Sequence, residues 1–98
     1  MDQGEMKFLL VVYDISNDQR RTKLHDLLLD YGSPVQYSVF ECILDDDAIA
    51  RMKKMIKRVI RPRKDNVRIY SLCEACLAKT EITCGPELLS KPAQVVVV

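Results

Sequence analysis

The stretch FLLVVYD, Phe8 to Asp14, constrains the fold of this chain more than any other. Six apolar or aromatic residues in succession end on a carboxylate, and the turn formers Ser16, Asn17 and Asp18 follow it. A strand with one wet face would alternate polar and apolar residues. A nearly continuous apolar run predicts instead a central strand over Met6 to Tyr13, buried on both faces. Asp14, at its end, can cap the turn, pair with a base such as Arg20 or Arg21, or ligate a cation.

The segments that follow supply partners for that strand. Ser16-Asn17-Asp18-Gln19 matches a capping box with Ser16 as the cap, so a helix is expected to begin there. Leu24, Leu27, Leu28 and Tyr31 recur at spacings of three and four and give it one inward face. Gly32 and Pro34 are expected to close it, through a left-handed cap and a residue that cannot continue a helix. Val35 to Leu44 is β-branched and aromatic, which predicts two short strands or one long strand with a bulge. The acids Asp45, Asp46 and Asp47 then cap a second helix with an apolar stripe of Ile49, Met52, Ile56, Val59 and Ile60, stopping before Pro62. Asn66 to Leu72 alternates and reads as another strand.

The order strand, helix, strands, helix, strand is a split βαβ pattern. It predicts an α+β, ferredoxin-like βαββαβ sandwich. With 98 residues there is material for one core, placed at about 6–72, with an extension at about 73–98. Gly85, Pro86 and Pro92 interrupt that extension before its ending in four valines. Exposed valines there would be an aggregation hazard unless they pair with a sheet edge of this chain or of a partner.

With 48% hydrophobic and 30% charged residues the composition is that of an ordinary soluble domain. No apolar run approaches a membrane span, and the start lacks the pattern of a signal peptide, so a cytoplasmic location is expected. A net charge of +1 hides an uneven distribution. Arg51 to Lys64 holds eight of the fifteen basic residues and no acid. Acids at a helix start and bases at its end complement the helix dipole, which accounts for part of the asymmetry. A continuous track of Arg51, Lys54, Arg58, Arg61, Arg63 and Lys64 would also suit nucleic acid, with binding that weakens steeply as salt rises.

Cys73 and Cys76 form a Cys-x-x-Cys pair, with Cys42 and Cys84 elsewhere. A zinc ribbon offers two such pairs, and a thioredoxin-like pair follows the first strand rather than the last, so reduced thiols packed as small hydrophobes are expected. His25 has no ligand neighbour at helical spacing and is read as a surface or rim residue. For hydrolysis, one carboxylate per chain leaves a magnesium or manganese site short of negative oxygen. A two-fold dimer that brings two copies of Asp14 together would repair the deficit. Tyr13 beside it offers a ring on which a base could stack.

LLVVYDISND, basic residues opening a helix, VQYSVFECILD, a helix and VRIYSLCEAC, in that order from about Lys7 to about Cys84, together resemble the small nuclease family of CRISPR systems, the second of the two universal proteins of spacer acquisition. The resemblance implies a ferredoxin-like homodimer that holds a divalent metal, Mg2+ or Mn2+, between paired Asp14 residues. It further implies metal-dependent cleavage of single-stranded RNA or double-stranded DNA. By position, Asp14 would be the catalytic metal ligand, with Tyr13 and Ser16 beside it. Arg20, Arg21 or Lys23 would contact phosphate, joined by Arg58, Arg61 and Arg63 of the basic run, while Ser38 and Phe40 would flank the dimer cleft. The family's terminal strand often crosses to the partner subunit, which suits the valine ending. A second reading stays open, in which the dimer is a non-catalytic bridge that holds DNA for the spacer-acquisition integrase.

Overall fold

The computed structural model describes residues 5–82 and 96–97. Four strands, β1 (Lys7–Asp14), β2 (Gly32–Gln36), β3 (Val39–Leu44) and β4 (Asn66–Leu72), form an antiparallel sheet in the order β2-β3-β1-β4. Helix α1 (Asp18–Leu28) joins β1 to β2, and α2 (Asp46–Val59) joins β3 to β4. Each crossover skips one strand, which is the interleaved βαββαβ arrangement expected. A short helix α3 (Glu74–Ala78) follows, and β5 (Glu81–Ile82) pairs in parallel with β6 (Val96–Val97). Of the terminal valines, Val96 and Val97 thus pair within this chain. Cys84, Gly85, Pro86 and Pro92 lie outside the described residues.

The apolar run becomes the central strand, but its two faces differ. Leu9, Val11 and Tyr13 point toward the helices and are buried with Leu24, Leu28, Phe40, Cys42, Met52 and Ile56 in one cluster. Successive side chains of a strand point to opposite faces, so Phe8, Leu10, Val12 and Asp14 share the other side. There Phe8 is buried, Leu10 and Val12 are half-buried, and Asp14 is exposed. The expectation of burial on both faces is therefore only partly met within one protomer.

Two local expectations change. Helix α1 is capped by Asn17, not Ser16: the Asn17 side chain accepts from the Arg20 N–H at 2.9 Å. Gly32 is not a left-handed helix cap, because α1 ends at Leu29 in a right-handed conformation and Gly32 opens β2. Its reason is proximity: a Cβ there would meet the Glu41 carbonyl oxygen and lie 2.6 Å from Cys42 Sγ. The segment read as two strands or a bulged strand has both features, a β2–β3 hairpin with a register shift between Pro34 and Gln36. Pro34 is accommodated because β2 is an edge strand. Helix α2 begins as expected, with Asp45 accepting from the Ala48 N–H at 2.8 Å, a cap that contributes about 1 kcal/mol.

Candidate functional site

Asp14 ends β1 on the helix-free face, directly across from Asn66 of β4. Register sets its surroundings. Val12 lies opposite Arg68 and Leu10 opposite Tyr70, so Asn66, Arg68 and Tyr70 stand on the same face as the carboxylate. Together with Val12 they line a shallow depression of about 190 Å3. The neighbouring Tyr70 side chain raises the pKa of the Arg68 guanidinium. Sequence reading passed over Asn66, Arg68 and Tyr70. Their polar alternation against Val67 and Ile69 was visible, but only the strand pairing brings them beside Asp14.

Around Asp14 the face is largely apolar, and Leu10, Val12, Val39 and Ile43 are each half-buried. Glu41, opposite Leu10, is buried among them. Among the described residues no group of three His, Cys, Asp or Glu side chains could hold an ion. The Asp14 carboxylate could therefore serve a divalent cation only as one oxygen donor of a larger set.

Other candidate residues fall elsewhere. Tyr13 and Phe40 are at 4% and 0% exposure, with ring centroids 6.4 Å apart beneath the helices. Tyr13 is thus a core ring rather than a stacking platform for a base, and Phe40 lines no cleft in the protomer. Burial pushes up the Tyr13 phenol. His25 is a rim residue as expected, its ring edge-on to Phe40 at 5.2 Å. Ser38 occupies the β2–β3 turn at φ 72° and accepts a hydrogen bond from the Tyr13 N–H at 3.1 Å. The turn borders a hollow of about 310 Å3 lined by Tyr13, Arg21, His25, Gln36, Tyr37 and Ser38. Tyr37, at 82% exposure, is the freest aromatic of the group, and its place in a turn beside Ser38 was the available signal.

The α1 bases divide sharply. Arg20 makes a two-pronged pair with Asp65, Nε to Oδ2 at 2.8 Å and Nη2 to Oδ1 at 3.0 Å. Asp65 is fully enclosed and also accepts the Arg61 N–H at 2.8 Å, so Arg20 serves to tie α1 to the turn after α2. Its hydrogen bond holds the Asp65 carboxyl below its usual value of 3.8. Arg21 donates to the Ile15 carbonyl at 2.9 Å and pairs with Asp18. Lys23 is exposed, and so is Ser16 in the β1–α1 loop.

Lys23 borders a groove of about 470 Å3 between the start of α1 and the end of α2, with Arg20, Arg58 and Arg61 on its walls. Arg51, Lys54, Arg58, Arg61, Arg63 and Lys64 are all exposed. Among the described residues no ion pair joins any of these six to a carboxylate. The basic surface therefore lies on the helical layer, and Asp14 on the opposite face of the sheet.

Residues 6–80, nearly the whole described unit, match the family model for CRISPR associated protein Cas2. The chain belongs to the Cas2 family. A relative from Synechocystis, named CRISPR-associated endoribonuclease Cas2 3, is 37% identical over 92 residues, covering 94% of this chain and 100% of the relative. The crystal structure of Streptococcus pyogenes Cas2 is similar at TM-score 0.65 and 30% identity, covering 68% of this chain and 87% of that one. A chain of a partial Cas6-RT-Cas1–Cas2 complex is similar at TM-score 0.67 and 31% identity, covering 76% and 87% respectively. The ferredoxin-like sheet is thus the one its Cas2 neighbours share. No helix among the described residues is long and apolar enough to cross a membrane.

Proposed function

We propose that this Cas2 chain is a cytoplasmic protein of CRISPR spacer acquisition and a metal-dependent endonuclease, acting on phosphodiesters of single-stranded RNA or double-stranded DNA as a two-fold homodimer. One observation carries the reading. Asp14 stands exposed at the end of an apolar face that the protomer leaves half-covered. A second copy laid on that face buries Leu10, Val12, Val39 and Ile43 and brings the partner's Asp14 toward the first. Two carboxylates, substrate phosphate oxygens and water then complete an oxygen set of the kind Mg2+ or Mn2+ takes. A divalent ion bound there supplies Lewis acidity to the scissile phosphate and lowers the pKa of an attacking water. Arg68, which lines the same depression as Asp14 and Tyr70, offers a positive charge to a phosphate oxygen.

The test compares cleavage of single-stranded RNA and duplex DNA, with magnesium and with chelator, by the native protein and Asp14→Ala. The substitution should lower the magnesium-dependent rate by about a hundredfold or more, the scale for losing a principal electrostatic contact. Cleavage that persists in the variant would sink the assignment.

A second reading is favoured by where the positive charge lies. The basic groove is on the helical layer, so the dimer would present it outward, as a bridge that holds duplex DNA and engages the spacer-acquisition integrase. A protein complex containing both Cas1 and Cas2 is among the structural neighbours. Spacer insertion that continues with Asp14→Ala, alongside a stable complex with the integrase, would favour the bridge.

A further inference from the structure

Cys73 directly follows β4, and Cys76 lies in the single turn of α3 that follows. Both thiols are free and exposed, and their Sγ atoms are 3.4 Å apart. A disulfide needs that separation closed to about 2.05 Å. Cys73, the cap of α3, and Cys76 within it already hold their sulfurs close enough that a small further approach closes the bond. Neither residue belongs to the core, so packing as small hydrophobes does not account for them.

The Cys76 N–H, followed by the Cys76 thiol, pulls the Cys73 thiol below its usual value. Cys42, by contrast, is enclosed, and burial with the neighbouring Glu41 pushes its thiol up to about 11. Nucleophilicity toward a disulfide follows thiolate fraction and access; both sulfurs are accessible, and at 3.4 Å either can resolve a mixed disulfide formed on the other. Two thiolates make only half of a tetrahedral zinc set. They make the whole of a disulfide.

We propose that Cys73 and Cys76 are a redox-active dithiol, oxidised reversibly to an intramolecular bridge by low-molecular-weight disulfides. In the first step the thiolate of one cysteine attacks one sulfur of the small disulfide, forming a mixed disulfide and expelling one thiolate. In the second, the other cysteine gives up its proton and attacks the Sγ of the first, expelling the remaining small thiolate. The protein loses two electrons and two protons, and the small disulfide becomes two thiols. The bridge closes over the turn that seats Leu77, the buried residue of α3, where the chain leaves the sheet. This activity is independent of Asp14 and of nucleic acid.

The test equilibrates the full-length protein in a graded series of oxidised and reduced glutathione. The expected result is loss of the mass of two hydrogens per chain, half complete at a defined glutathione ratio and reversed by reductant, with peptide mapping placing the bridge between Cys73 and Cys76. Cys84→Ser should behave as the native chain. Cys76→Ser should trap Cys73 as a glutathione adduct. A bridge to Cys84 or between chains, stoichiometric zinc that blocks oxidation, or thiols that stay reduced across the series would each overturn the proposal.

Discussion

On the helix side of the sheet, Leu9, Val11, Phe40 and Cys42 are each at 1% exposure or less. On the other side, their strand neighbours Leu10, Val12, Val39 and Ile43 remain half-buried. The two sets are about equally apolar, so hydrophobicity alone does not say what the protomer can cover. One layer is closed by α1 and α2. The other is left half-covered within the protomer, and the dimer proposed above would close it with a surface of the same chemistry. Charge divides along the same plane only in part: Asp14 and Arg68 share the open side, and the basic residues from Arg51 to Lys64 lie outside the closed one.

That contrast can be broken by measurement. The largest effect is expected at Phe40→Ala, which empties the centre of the closed layer and should lower unfolding free energy by about 3–5 kcal/mol, read by urea denaturation. A small loss would mean that the closed layer is less tightly packed than its exposures indicate. Val39→Asp, on the open side, should leave the protomer folded and raise the dimer dissociation constant about a hundredfold, or about 3 kcal/mol, read by sedimentation. An unchanged dimer would place the seam elsewhere.

A smaller effect tests the anchoring of the helical layer by Arg20 and Asp65. Because the folded Asp65 carboxyl lies below 3.8, its pairing is fully stabilising above that value and is lost as pH falls through the folded one. The stability gap between the native protein and Asp65→Asn should therefore be widest near neutrality and narrow in acid. A gap independent of pH would contradict the pairing. The smallest effect concerns single charges. Removing Lys23 or Arg58 should reduce the log–log salt slope of duplex binding by about one unit each, whereas a flat slope in the native protein would remove the basic track altogether.

Much of this was legible in the order of residues. The apolar run set the central strand, the Asp triplet set the start of α2, and the stripe from Ile49 to Ile60 set its inner face. Local chemistry was less legible where two signals competed. Ser16 and Asn17 are both good caps, and the choice between them depends on how β1 delivers the chain. Gly32 carried a helix-end signal, yet its role is the close pass of β2 over Glu41 and Cys42, which only tertiary structure reveals. Site residues were misread for a related reason. Tyr13 and Phe40 neighbour Asp14 and Ser38 in sequence, but strand alternation turns those rings toward the helices, and Arg20 had a distant partner in Asp65 that no spacing rule discloses.

Asp14 is held through its main chain. The β4 pairing on one side and the Ser38 carbonyl just behind it on the other set the direction in which the carboxyl leaves the sheet. The direction of its Cα–Cβ bond is therefore inherited from the hairpin and the ladder. Two such strand ends meeting about a common axis would present acids whose spacing is set by how one sheet packs on the other.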